Sequence, residues 1–235
     1  MDVIVTLDVD WAPDYMLKST YEIFERFEKK ATWMMTHRSE YVEALRKKTW
    51  VEVGIHPNFL PRSSHGNSPE EVIETITSWF PEAVCSRSHA VVQSGPILNL
   101  LSSRIKADSS TFLPGYTDIK PIWQRTGVGK ICRLPFCWAD DDCLLSEDYE
   151  WKAASFIPPA GLCVMMFHPV HVYLNSNSPK PYHNLKTAYP NGLNHVSELE
   201  AQKFCNPGPG ARTFLEDLLS QPDYNFIFMN EAIPE

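Results

Sequence analysis

The chain has 235 residues, 43% of them hydrophobic and 21% charged, proportions that exclude disordered, collagen-like and coiled-coil classes. A formal charge of -8 leaves no basic footprint for a phosphate backbone or an anionic lipid surface, which argues against nucleic-acid partners and for small or neutral ligands. The length allows one large domain or two small ones, and the steady alternation of elements described next predicts a single domain over residues 1–235.

The opening residues lack the basic and apolar regions of a secretory signal. No apolar run reaches the roughly 18 residues of a spanning helix. The six cysteines contain no C-x-x-C pair, and several sit in apolar runs as small buried hydrophobes do. Together these features predict reduced thiols and a cytoplasmic location. Residues 3–7 form a β-branched apolar run, and 19–30 carry Ile23, Phe24 and Phe27 at helical spacing. Strand and helix follow again at 31–35 and 39–48, the helix opening on Ser39 and closing on basic residues that suit its dipole. Residues 51–55 predict a third strand, and Ser68-Pro69-Glu70-Glu71 opens a helix whose apolar face is Val72, Ile73, Ile76 and Trp79. Further strands are expected at 83–85, up to Asp108, at 130–136, 162–167 and 224–229, with helices at 95–104 and 211–219. Residues 173–195 are rich in Asn, Pro and Ser without apolar period and predict a long ordered loop over an active site. Repeated β-α units imply a mostly parallel sheet. About seven to eight strands favour an irregular (β/α) barrel, with an open sheet as the alternative.

Ligands of parallel α/β folds bind beyond the carboxyl ends of the strands. Those ends carry Asp8-Val9-Asp10, His56-Pro57-Asn58, Arg87-Ser88-His89, Asp108-Ser109-Ser110, Asp140-Asp141-Asp142 and His168-Pro169-Val170-His171. Any one of these could be turn chemistry, but acid, imidazole and guanidinium recurring at one rim points to a site. Asp10 with His56 and His65 forms a carboxylate and two imidazoles, a donor set suited to zinc-like divalent ions. Trp11 and Trp138 could stack on a ligand or simply pack, and Asn58 could bind hydroxyls or fix a turn.

The chain resembles the metal-dependent NodB-homology polysaccharide deacetylases, carbohydrate esterase family four, in their WbmS-like branch. Thr6-Leu7-Asp8-Val9-Asp10 is similar to the family's T-F-D-D strand with one residue inserted. His56 matches the first histidine of its H-S/T-x-x-H motif, but position 60 is Leu60, leaving His65 as the substitute. Arg87 resembles the third-motif arginine, Asp108 the aspartate that tunes the catalytic histidine, with Asp141 as a rival, and Phe167-His168-Pro169 the fifth motif. The resemblance implies a NodB-like barrel and hydrolysis of an N-acyl group, in the simplest case N-acetyl, on a sugar that is nucleotide-linked, lipid-linked or polymeric. It implies a metal, zinc or else cobalt, nickel or manganese, on Asp10, His56 and His65. Asp8 would be the base, His168 the acid, Arg87 the partner of Asp8 and Asp108 the partner of His168. Trp11, Asn58, Trp138, Asp141 and His171 are the candidate substrate contacts. Two other readings stay open: hydrolysis of a non-sugar linear or cyclic amide, and a non-catalytic carbohydrate-binding relative.

Overall fold

In the computed structural model, which describes residues 1–190 and 192–235, the first half of the chain alternates as expected. Strand β1 (Asp2–Asp8) is followed by α1 (Asp14–Phe27), β2 (Ala31–Met35), α2 (Glu40–Leu45), β3 (Val51–Ile55), α3 (Pro69–Trp79), β4 (Cys85–Ser86), α4 (Gly95–Ser102) and β5 (Ala107–Asp108). Ser39, Ser68 and Ser94 cap α2, α3 and α4 by accepting the N–H three residues on, satisfying donors that a helix start leaves unpaired. Helix α1 begins before the apolar period does, because Pro13 presets the entry with φ −58° and Asp14 sits at the positive helix end.

The second half is less regular. It contains β6 (Asp118–Ile119), β7 (Ile122–Arg125), β8 (Lys130–Arg133), β9 (Trp138–Ala139), α5 (Asp140–Cys143), β10 (Ala160–Gly161), β11 (Val164–Phe167) and α6 (Pro169–Leu174). After these come α7 (Lys180–Ala188), α8 (Glu198–Ala201), α9 (Ala211–Leu219) and β12 (Asn225–Phe226). The expected loop over 173–195 is a misreading: it contains the end of α6 and the whole of α7. Helix α7 has a proline in its first turn and one fully buried anchor, Leu185, too little apolar surface to show a period. The strand expected over 224–229 is only Asn225–Phe226, and the chain then turns at residues 229–232.

The main sheet runs β7-β8-β5-β4-β3-β2-β1-β11-β9, with β12 also on β1. All pairings are parallel except the edge hairpin β7–β8. Strands β1, β2 and β11 are buried along almost their whole length, as strands covered on both faces must be. The hydrogen-bonded order does not close on itself. Instead one segment, residues 130–139, supplies β8 beside β5 and β9 beside β11. Between them Phe136 bridges Phe112 and its N–H bonds the Thr111 carbonyl. This segment links the two sides of the parallel run, so the architecture is α/β with a ring-like, mostly parallel sheet. Among the described residues no helix is long and apolar enough to cross a membrane.

Candidate active site

Strand β1 ends in a strained turn. Asp10 and Trp11 have φ of 46° and 54°, an unusual region for a side chain as bulky as Trp. The turn is held by the Trp11 N–H on Thr36 Oγ1 and the Val9 N–H on the Met34 carbonyl. His56 follows β3 directly and is 2% exposed. His89 follows β4 and begins a second strained stretch, with Ala90 and Val91 at φ 52° and 48°.

These turns bring three donor atoms together. Asp10 Oδ1 lies 2.9 Å from His89 Nδ1 and 3.1 Å from His56 Nε2, and the two ring nitrogens are 3.2 Å apart. Donors held about 2.1 Å from one ion would be roughly 3.0–3.4 Å apart, so one carboxylate and two imidazoles fit a divalent ion in both chemistry and spacing. Burial pushes the Asp10 carboxyl up, but the His56 and His89 hydrogen bonds outweigh it and hold the group well below its ordinary value. The same bond to Asp10, against burial, raises His89.

Two ionisable groups flank this triangle. Asp8 Oδ1 receives Arg87 Nη1 at 2.8 Å, while Asp8 Oδ2 is 3.7 Å from His56 Nδ1, a buried ring nitrogen without a hydrogen bond. The Arg87 guanidinium is fully buried, bonded also to Thr6 Oγ1, the Ser109 carbonyl and Ser109 Oγ, and lies over the Phe136 ring. On the other side, His168 Nδ1 is 2.6 Å from Asp140 Oδ1, and its backbone N–H donates to Asp140 Oδ2 at 2.7 Å. Burial pushes the His168 ring down, but the Asp140 carboxylate more than compensates and the imidazole is raised well above its ordinary value. Its Nε2 points inward, 3.7 Å from Asp10 Oδ2.

The structure corrects several sequence expectations. His65 is not part of the triangle: its Nδ1 accepts the Asn58 N–H, and its Nε2 bonds the Thr36 carbonyl. Both nitrogens being engaged by backbone, the ring serves as a clamp between two loops, and His89 takes the place assigned to it. Asp108 does not reach His168. It is tied to Arg133 at 3.1 Å and to Ser86 and Ser110, and Asp140 holds His168 instead. Asp141 lies next to that pair and lines the cleft but is not the hydrogen-bond partner. Asn58 turns its side chain back to the Leu60 N–H. Trp138 is buried, stacked on Phe214 and bonded to the Tyr149 hydroxyl. His171 is buried behind His168, bonded to Ser176 Oγ and packed on Tyr182. Trp11 braces the imidazoles, edge-on to His89 and tilted against His65. Sequence reasoning thus missed roles for His89 and Asp140. Each had a signal in being the imidazole or first acid beyond a strand end, as His56 and Asp10 are.

Asp8, Asp10, His56, His89 and His168 line one cleft of about 420 Å³, walled on its far side by Phe112, Phe136 and Met166. A buried carboxylate, a raised imidazole and a chelating triangle converging on one cleft form an arrangement suited to hydrolysis.

Residues 5–186 match the family model described as WbmS-like polysaccharide deacetylase. A crystal structure from Bordetella bronchiseptica, described as a polysaccharide deacetylase involved in O-antigen biosynthesis, superposes with a TM-score of 0.81 at 31% identity, covering 93% of this chain and 89% of that one. A 4-alpha-glucanotransferase from Thermococcus litoralis gives a TM-score of 0.54 at 12% identity over 99% of this chain and 38% of its own, a likeness of fold alone. No curated protein matches the chain significantly. The family match over most of the sequence and the near-complete superposition agree: this chain belongs to the WbmS-like polysaccharide deacetylases.

Proposed function

We propose that the protein is a metal-dependent hydrolase that removes an N-acyl group, in the simplest case N-acetyl, from a sugar. The observation that carries the reading is the triangle of Asp10 Oδ1, His56 Nε2 and His89 Nδ1, with sides of 2.9–3.2 Å, set between Asp8 and His168. A zinc-like ion on these three residues would supply Lewis acidity toward water and the amide carbonyl. Asp8, fixed through Oδ1 by Arg87, takes the proton of the attacking water. His168, held at Nδ1 by Asp140, gives its Nε2 proton to the amine nitrogen as the C–N bond breaks and the new C–O bond is complete. Its raised affinity for protons suits an acid that must be charged before the step. The products are a carboxylic acid and a free amino sugar.

Elemental mass spectrometry of purified protein, with acetate release from N-acetylated sugars measured alongside, tests this reading. About one divalent ion per chain is expected, lost in His56→Ala and His89→Ala and retained in His65→Ala. Wild-type protein that takes up no zinc, cobalt, nickel or manganese would sink it. Loss of the ion from His65→Ala but not from His89→Ala would return the third ligand to His65.

A further inference from the structure

Two cysteines that the reaction does not use meet at the foot of the strands that carry its acid. All six cysteines are free thiols, and Cys137 and Cys163 bring their Sγ atoms to 3.9 Å. The Cys137 backbone N–H donates to the Val164 carbonyl at 2.9 Å. The two residues therefore stand on neighbouring strands, which run about 4.8 Å apart, within the span of a disulfide. Cys163 is closed off, 1% exposed. Cys137, 8% exposed, lines a cavity of about 610 Å³ beside the reaction cleft, bounded by exposed Tyr116 and Ile157. A small oxidant entering from solvent thus meets Cys137 first. The hydrogen bond from the Cys163 thiol holds the Cys137 thiol below its ordinary value against burial, while the same bond and burial push Cys163 up. Access and acidity agree in making Cys137 the attacking sulfur and Cys163 the resolving one.

We propose that Cys137 and Cys163 are a redox-sensitive pair that a peroxide closes to a disulfide, and that closing it slows turnover by drawing Asp140 off His168. The Cys137 thiolate attacks one peroxide oxygen. An S–O bond forms as the O–O bond breaks, and the departing hydroxide leaves as water with the thiol proton. The Cys163 sulfur then attacks the Cys137 sulfenic acid, forming the S–S bond as the S–O bond breaks, and the second hydroxide leaves as water with the Cys163 proton. Two electrons pass from the sulfurs to the peroxide, and a dithiol reductant returns them. The effect on turnover comes from where the pair sits, and it rests on the acid role given to His168 above. Cys137 stands three residues before Asp140 and Cys163 five before His168, and between them β9 and β11 are paired through Trp138 with Met165 and Ala139 with Met166. A sulfur–sulfur bond is about 2.05 Å long, so the 3.9 Å contact must close by about half. The Cys137 thiol also gives up its bond to the Val164 carbonyl. So short a ladder passes the shift on to Asp140, whose bonds of 2.6 and 2.7 Å to His168 leave no slack to absorb it.

Titration of the metal-loaded protein with hydrogen peroxide tests this, with mass spectrometry of digests and acetate release followed side by side. Wild-type protein is expected to give a pair of peptides joined through Cys137 and Cys163 and lighter by two hydrogens. Its kcat should fall by at least about tenfold as the join forms, and dithiothreitol should restore both. Cys163→Ala should stop at the Cys137 sulfenic acid, trapped by dimedone, and keep its kcat through the peroxide treatment, because oxidation without the cross-link moves neither strand. Cys137→Ala should form neither product and also keep its kcat. Peroxide that leaves this pair reduced, joins other cysteines instead, or lowers kcat equally in Cys163→Ala overturns the proposal, as does a joined pair with kcat unchanged. The joined peptides are read without turnover, so a disulfide that forms in a protein releasing no acetate would remove the reaction assigned above and leave the thiol pair standing.

Discussion

His89 and His65 differ in what their ring nitrogens are free to do. His65 has both bonded to backbone, whereas His89 Nδ1 faces the Asp10 carboxylate. Spacing along the chain suggested the first, because direction of the side chain is set by contacts that spacing does not encode. The carboxylates divide in the same way. Asp8→Asn should keep the ion and lower turnover by about 10²–10⁴-fold, the range for a lost general base, read as kcat beside metal content. Asp140→Asn should lower kcat by at least about 100-fold with metal retained, since the amide cannot hold a charged His168. Asp108→Asn should behave differently. It leaves the buried Arg133 short of its ion pair and should cost about 3 kcal/mol in urea unfolding, while kcat of the folded protein stays near wild type. That acids and imidazoles gather at one rim was legible from the strand ends. Which acid serves which histidine was not, because Asp108, Asp140 and Asp141 all follow strands and only packing separates them.

Among the elements, α6 and α9 pack together, and the residue that caps α6 ties it to the start of α9. Asn175 ends α6 at φ 48°, a conformation Asn tolerates better than most side chains. Its Oδ1 accepts the N–H groups of Arg212 and Thr213 at the start of α9, acting as a cap supplied from another helix. Its Nδ2 donates to the Asn206 and Gly208 carbonyls. Gly210 approaches so closely that a Cβ there would lie 2.1 Å from the Asn175 carbonyl oxygen. Asn175→Ala should therefore lower stability by about 2–4 kcal/mol, seen as a shifted urea midpoint with unchanged slope, and Gly210→Ala should also destabilise. Helix α9 itself was legible to the residue from its apolar period. The connection before it was not, since α7 buries Leu185 almost alone and a helix stabilised by neighbours rather than by its own amphipathic face leaves no periodic trace.

At the scale of the whole molecule, α/β alternation and a mostly parallel sheet could be read from the chain because each of the first three strands is a short, mostly apolar run followed by a helical segment, the second and third of these helices opening on a capping serine. The role of residues 130–139 could not, because one run of chain belongs to both sides of the sheet. Stability as a whole should depend on pH through His171. Burial pushes this ring down to about 4, below the roughly 6.5 of an unfolded histidine. As pH falls, the unfolded chain takes up the proton first, so stability present above about 6.5 is lost toward 4, by on the order of 3 kcal/mol at most. Urea unfolding at several pH values should give a flatter dependence across this window for His171→Asn than for the wild type.

The shared segment also bears on how the protein assembles. Asp140 reaches His168 only once residues 130–139 have docked on β5 at one end and on β11 at the other, and contacts of such long sequence separation form slowly. On the proposed function, an ion held by Asp10, His56 and His89 would join the ends of β1, β3 and β4 and would therefore bind their native arrangement, not any one strand. We expect added zinc to slow unfolding and leave the refolding rate unchanged in stopped-flow fluorescence, which would make residence of the metal, rather than speed of folding, the source of the protein's persistence.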